Sequence, residues 1–127
     1  MTDFLAQAEE FRVYMDQHIG SFAPEQLGVQ RRLISEEYQE FIDAHCESII
    51  YIQNKQARAS ALKELTDLVY VCFQYASAAG WDLNESLDRV HRSNLSKLDD
   101  NNQPVKREDG KVLKGKNYRK PVMIDLV

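Results

Sequence analysis

The sequence predicts an all-α protein, a four-helix bundle followed by an irregular C-terminal tail. Three observations predict it. Apolar residues recur at helical spacing through four successive segments. Gly20 and Gly80 stand where two of those segments should stop. At Asp99 the composition changes to a turn cluster, Asp-Asp-Asn-Asn-Gln-Pro. A chain of 127 residues is one domain by length and can bury a real core. Within it, residues 1–98 form the helical part and 99–127 the tail.

The first helix is expected from Asp3 to His18, with Phe4, Ala8, Phe11, Met15 and His18 as its buried stripe and Gly20 as its stop. His18 reads as a packing or capping residue, because a histidine cation suits a helix C-terminus. Ser21 to Gly28 reads as a linker in which Pro24 could start a helical turn. The second helix then runs to Ile52, with Asn54 as its stop. Its apolar stripe is Leu27, Ile34, Tyr38, Phe41, Ile49 and Ile52, and His45 falls in that stripe as a core histidine.

The third helix runs from Gln56 to Ala79. Val69-Tyr70-Val71-Cys72-Phe73 would pass for a strand over a short window, but the longer period and the lack of turn signals favour helix. The fourth is expected from Asp82, which has capping-box spacing to Glu85, to Leu98. Leu83, Leu87, Val90 and His91 face inward on it, with Asn94 and Leu98 in phase. In the tail, Asp109-Gly110 marks a tight turn, and Val105 and Val112 could be the arms of a small β-hairpin.

The net charge is −4, with no basic stripe, so nucleic acid is not an expected partner. No long apolar run or signal-peptide pattern is evident, which predicts no membrane partner and a cytoplasmic protein. Cys46 and Cys72 have no metal spacing and read as buried thiols in a reducing compartment. There is no Gly-rich phosphate loop, nucleophile triad or zinc motif.

The chemistry is concentrated in two acidic groups. On the second helix, Glu40 falls roughly 40° and Glu37 roughly 100° round from Glu36, so the three share one patch. On the third, Glu64 and Asp67 are one turn apart, and Glu64 lies inside the apolar face. Asp67 is the only formally charged residue from Leu65 to Ala79, so that stretch should be mostly buried. Surface acids on helices are common, and Arg31, Arg32, Lys55, Arg58 and Lys63 could pair with them. Carboxylates in an apolar setting must nevertheless find a partner or take up a proton. Five acids exceed what pairing needs, and an all-oxygen ligand set suits Mg²⁺ or Mn²⁺ rather than Zn²⁺.

Glu36-Glu37-x-x-Glu40 followed by Glu64-x-x-Asp67, with Arg32-Leu33-Ile34 before and Leu68-Val69-Tyr70 after, resembles the signature of the all-α nucleoside triphosphate pyrophosphohydrolases. That superfamily includes the MazG-like proteins, the phosphoribosyl-ATP pyrophosphohydrolases and the dimeric dUTPases. The resemblance covers roughly Leu27 to Lys97. It implies a MazG-like bundle that cleaves between the α and β phosphorus of a nucleoside triphosphate or related nucleotide. It also implies a homodimer or homotetramer. The expected catalytic residues are Glu36, Glu37, Glu40, Glu64 and Asp67. Glu37, Glu40, Glu64 and Asp67 are the expected metal ligands, and Glu36 the residue that positions or deprotonates water.

Substrate binding is expected from Asn94, Lys97, Arg31, Lys114 and Tyr118. For Asn94 and Lys97 the bland alternative is a polar helix end, and Arg92 is a weaker candidate. The tail between Lys106 and Lys120 is basic. It is either a solvated segment or a flap over phosphates, with Tyr118 able to stack on a base. Three alternatives stand beside the triphosphatase reading: a phosphoribosyl-ATP pyrophosphohydrolase, a non-catalytic nucleotide-binding module, and a di-iron bundle. The last lacks any Glu-x-x-His.

Overall fold

The computed structural model describes residues 1–127 and is all-α, with four helices. They are α1 (Phe4–Tyr14), α2 (Pro24–Ile50), α3 (Lys55–Ala79) and α4 (Leu83–Leu95), and a short 3₁₀ turn spans Ile124–Leu126. The chain forms two compact units, Met1–Trp81 and Asp82–Val127.

In the first unit, α1 begins at Asp3, whose side chain accepts the Ala6 N–H at 3.0 Å. It stops at Tyr14, not His18, so the expected stripe is cut short: Met15 lies in the capping turn and is exposed. Asp16 takes a positive φ of 52°, which ends any helical continuation. The segment after it is gathered in by Arg12. This arginine is buried and donates from Nε to the His18 carbonyl at 2.6 Å and from its guanidinium to Gln74 Oε1 at 3.2 Å.

Helix α2 starts at Pro24 itself, whose missing N–H costs nothing at a first-turn position. The linker is therefore shorter than expected. A short turn joins α2 to α3 as an antiparallel pair. Asn54 is the N-cap of α3, accepting the N–H groups of Gln56 and Ala57, and so acts as a start signal as much as a stop. Arg58 closes the turn by donating to the Ile52 carbonyl at 2.6 Å.

The core is made largely of small residues on the C-terminal half of α3. Ala76, Ala78 and Ala79 are buried with Phe73, and Leu27 of α2 packs on Ala78 and Ala79 beside Tyr75 and Trp81. Ala8 and Ala57 are also buried. Aromatic pairs bind α1 to α3: Phe4 with Phe73, ring centroids 6.0 Å apart, and Phe11 edge-on to Tyr70 at 5.7 Å. The expectation that Leu65 to Ala79 is mostly buried holds for its second half only. Leu65, Val69 and Tyr70 are exposed. On α2, Tyr38 and Ile49 are exposed as well, as is Ile52 in the following turn. His45 is exposed beside the Phe41 ring rather than in the core, and Cys46 is exposed. Cys72 is half-buried, and burial pushes its thiol pKa up. Periodicity gives the phase of an apolar arc but not how much of it the fold covers, which is why it places these residues inside.

Gly80 ends α3 with φ 77°. A Cβ there would meet the Gly20 carbonyl oxygen at 2.7 Å. The contact exists because Gly20 and Ser21 donate their N–H groups to Ser77 and Ala78, capping the last turn of α3. Gly80→Ala should therefore destabilise the protein by about 2–3 kcal/mol, combining left-handed strain with a backbone clash. Urea denaturation measures this, and an unchanged midpoint would remove the packing argument.

In the second unit, the Asp82 side chain accepts the Glu85 N–H at 3.0 Å and caps α4. The reciprocal half of a capping box is absent, since Glu85 turns to Arg89 and Arg92. Helix α4 ends at Leu95, three residues earlier than expected, and tightens into i→i+3 turns through Leu98. Leu87, Val90 and His91, expected to face inward, are all exposed. The expected hairpin reduces to two isolated antiparallel bridges, Leu98 with Pro104 and Lys106 with Val112. Gly110, at φ 87°, makes the turn between Arg107 and Lys111.

The tail is fastened along α4. The Ser93 hydroxyl donates to the Arg119 carbonyl at 2.7 Å, and Ser96 Oγ accepts the Arg119 N–H at 2.9 Å. Arg89 grips Asp125 with both guanidinium nitrogens, at 2.6 and 2.8 Å, and also bonds the Val122 carbonyl. These attachments tie the end of the tail, from Arg119 to Asp125, to α4.

Candidate metal centre

Helix periodicity sets the acids of α2 and α3 toward one another, and the antiparallel pairing of these helices completes the arrangement. Glu37, Glu40 and Glu64 each offer an oxygen, and the three atoms lie within 4.8 Å of one another. Glu37 and Glu64 are half-buried and Glu40 is exposed. Burial pushes the Glu37 carboxyl pKa up, helped by a hydrogen bond with Glu40 and by the charges of Glu40, Asp67 and Glu64.

Two oxygens define the fit to a cation. Glu37 Oε2 and Glu64 Oε2 are buried and have no hydrogen-bond partner. A buried carboxylate oxygen without a donor is costly, and here two occur in a single cluster of like charges. A divalent cation supplies what both lack, and the donor set is all oxygen, as hard cations require.

Asp67, the fourth expected ligand, lies one turn along α3 from Glu64, and its carboxylate is engaged by Lys63 at 2.7 Å. Lys63 also reaches Glu64 Oε1 at 3.3 Å, and these two acids hold its pKa up. Asp67 is thus near enough to act on Glu37 but is not gathered into the group of three. Glu36 is exposed on α2 and also stands outside that group.

The expected substrate-binding residues are dispersed. Arg31 is exposed on α2 without an ion pair. Asn94 is exposed near the end of α4, and Lys97 follows just past it, half-buried. The Lys97 carbonyl lies so close to Gly115 that a Cβ there would sit at 3.0 Å from it. In the tail, the Lys114 ammonium lies 4.8 Å from the centroid of the Tyr118 ring, so one face of that ring is already covered. Arg92, the weaker candidate, is held by Glu85 and Asp88. Sequence reasoning missed Arg12 altogether, because a lone arginine beside an apolar stripe gives no sign that it will be buried.

The raised carboxyl pKa of Glu37 has a consequence for stability. Folded Glu37 keeps its proton to higher pH than the unfolded chain, where a glutamate titrates near about 4.3. Its favourable contribution is present below that value and is lost as pH rises through the raised one. Without metal, stability should fall across this window, and a bound cation should reverse the loss. Thermal midpoints from pH 4 to 7 should diverge between EDTA and Mg²⁺, with the gap widening as pH rises. A gap independent of pH would mean that Glu37 does not face the cation.

The fold is all-α, and three carboxylates converge between two of its helices as an all-oxygen donor set of the kind that suits a hard cation. The chain matches the family described as phosphoribosyl-ATP pyrophosphohydrolase over residues 12–94, and it belongs to that family. It is a pyrophosphohydrolase, a hydrolase acting on acid anhydrides, with a nucleotide-like substrate. The match takes in all five acids, Arg31 and Asn94, and leaves Lys97, Lys114 and Tyr118 outside. No curated protein matches the sequence significantly. No helix is long and apolar enough to cross a membrane.

Proposed function

We propose that the protein is a Mg²⁺-dependent nucleotide pyrophosphohydrolase. It cleaves the α–β phosphoanhydride of a nucleoside triphosphate, releasing a nucleoside monophosphate and pyrophosphate. The convergence of Glu37, Glu40 and Glu64 around two unpartnered oxygens carries this reading. These three, with Asp67, would hold the metal; Mn²⁺ satisfies the same ligands. When bound, such an ion neutralises phosphate charge and acidifies water. Without it, a cluster of carboxylates repels a triphosphate.

Glu36 orients the attacking water and accepts its proton. Lys97, Arg31 and Lys114 hold phosphates, Asn94 bonds the nucleotide, and Tyr118 offers its uncovered ring face to a base. Catalysis belongs to residues 1–98, with 99–127 as their tail. Phosphoribosyl-ATP is the second reading, favoured by the family match, and its hydrolysis breaks the same bond.

The working form is a cytoplasmic homodimer or homotetramer. The exposed apolar residues of the α2–α3 pair, Tyr38, Ile49, Leu65 and Val69 among them, support assembly. Light scattering that returns a monomer would contradict it.

The test of function is pyrophosphate release from a panel of ribo- and deoxynucleoside triphosphates, with phosphoribosyl-ATP included, in Mg²⁺, in Mn²⁺ and in EDTA. Release only with metal is the expected result, and the ranking names the substrate. No release from any compound in either metal would overturn the assignment.

A further inference from the structure

Lys63 is the one cation paired with the acids of the metal centre. Every other ion pair of the chain lies in α4 or the tail, and none of Arg31, Arg32, Lys55 and Arg58 forms one. The Lys63 ammonium lies 2.7 Å from Asp67 Oδ2 and 3.3 Å from Glu64 Oε1. Both carboxylates are proposed metal ligands.

Helix phase explains where Lys63 stands. At about 100° per residue, Asp67 falls about 40° and Glu64 about 100° round from it. Lys63 is therefore at the outer edge of the acid patch, with Asp67 between it and Glu64. Its flexible stem carries a compact charge inward over both. Helix stability does not account for the pair. An i,i+4 pair supports a helix best with the acid N-terminal to the base, and here the order is reversed.

The pairing opposes cation binding. Glu37, Glu40 and Glu64 gather within 4.8 Å, whereas Asp67, the acid that Lys63 holds most closely, stays outside that group. An oxygen bonded to an ammonium has less to give a metal, and the ammonium charge repels a divalent ion. The hold is nevertheless loose. The Lys63 side chain is 65% exposed, and exposed pairs are individually weak. A doubly charged ion can displace it.

We infer that Lys63 is a tethered competitor of the divalent ion. It sits on Asp67 and Glu64 while the ion is absent, easing the repulsion among the acids. It swings into solvent when the ion takes both carboxylates. Lys63 thereby raises the metal concentration at which the four-acid ligand set assembles. The inference rests on the reading of these acids as a divalent-metal centre.

The test is calorimetric titration of the full chain with Mg²⁺ and with Mn²⁺, without nucleotide, beside thermal midpoints in EDTA and in saturating Mg²⁺. Lys63→Met should bind either ion about three- to tenfold more tightly, the scale of two weak exposed pairs. Lys63→Arg keeps the charge and should bind no more tightly than the natural chain. Lys55→Met removes an exposed cation about two turns away on the same helix. At that distance salt screens it, and affinity should change less than about twofold.

In EDTA the midpoint of Lys63→Met should fall, because the acids lose their paired cation. In Mg²⁺ it should equal or exceed that of the natural chain. A lysine that served only the helix would lower both midpoints alike. Adding Lys63→Met to Asp67→Asn should gain less affinity than it gains in the natural chain, since the ligand it frees is gone. Equal Mg²⁺ affinity in the natural chain and Lys63→Met overturns the proposal and leaves the metal centre standing. No saturable binding of either ion by either protein overturns both.

Discussion

Glu64→Gln should lower metal-dependent pyrophosphate release by at least about 10²–10³-fold while leaving the fold intact. Glutamine keeps the shape of the side chain and removes its charge. In the native chain Glu64 carries one buried oxygen with no donor and one oxygen 3.3 Å from the exposed Lys63. The amide is neutral and cannot act as an anionic ligand, so it weakens the hold on a cation at the centre of the cluster. The same change relieves like-charge repulsion among Glu37, Glu40 and Glu64.

Metal-free stability should therefore hold or rise, by about 1 kcal/mol, the usual scale for relieving a strained functional group. Two measurements together isolate the effect. Turnover should collapse, and the rise in thermal midpoint on adding Mg²⁺ should shrink with it. A variant that turns over like the natural chain, or that keeps the full Mg²⁺-induced rise, would place the chemistry elsewhere.

The convergence of Glu37, Glu40 and Glu64 was legible in the sequence because it depends on helix phase. Glu37, Glu40 and Glu64 needed only the period of two helices and a turn short enough to make them antiparallel. Asp67 was less legible. Its phase is right, but its partner depends on the reach of one flexible side chain, Lys63, which no periodicity encodes.

The helix ends were read too far where they depend on side chains distant in sequence. α1 stops at Tyr14 because Arg12 pulls the following segment onto α3 through Gln74, sixty-two positions away. α4 stops at Leu95 where the tail takes over: the Ser93 hydroxyl donates to the Arg119 carbonyl and Ser96 Oγ accepts the Arg119 N–H. His45 and Cys46 were placed inside because an apolar stripe does not say which of its residues the fold covers.

Arg12→Met should cost about 2–3 kcal/mol of folding stability, close to the upper range for single substitutions outside a disulfide or metal site. Arg12 is 1% exposed and has no carboxylate partner. Burial alone lowers its pKa, and a guanidinium remains charged even so. The charge is tolerated because its hydrogen bonds are made to oxygens that also need donors: the His18 carbonyl and Gln74 Oε1. Gln74, itself buried, turns its amide nitrogen to the Ala8 carbonyl at 3.4 Å, so one chain of polar groups links α1, the following segment and α3. Methionine fills the space but leaves Gln74 Oε1 without a donor, which costs more than the bond itself contributed. It also releases the segment whose Gly20 and Ser21 N–H groups cap α3.

Arg12→Lys should recover little, since an ammonium at the end of a flexible stem cannot reproduce the two directions of the fork. The double variant Arg12→Met/Gln74→Met should be more stable than the sum of its single changes predicts, by about 1 kcal/mol or more, because it removes both ends of the buried bond together. Urea denaturation of the four proteins gives the cycle directly. Additive single changes would mean that Arg12 and Gln74 are not coupled. An Arg12→Met protein as stable as the natural chain would mean that the buried guanidinium does not anchor the segment between α1 and α2.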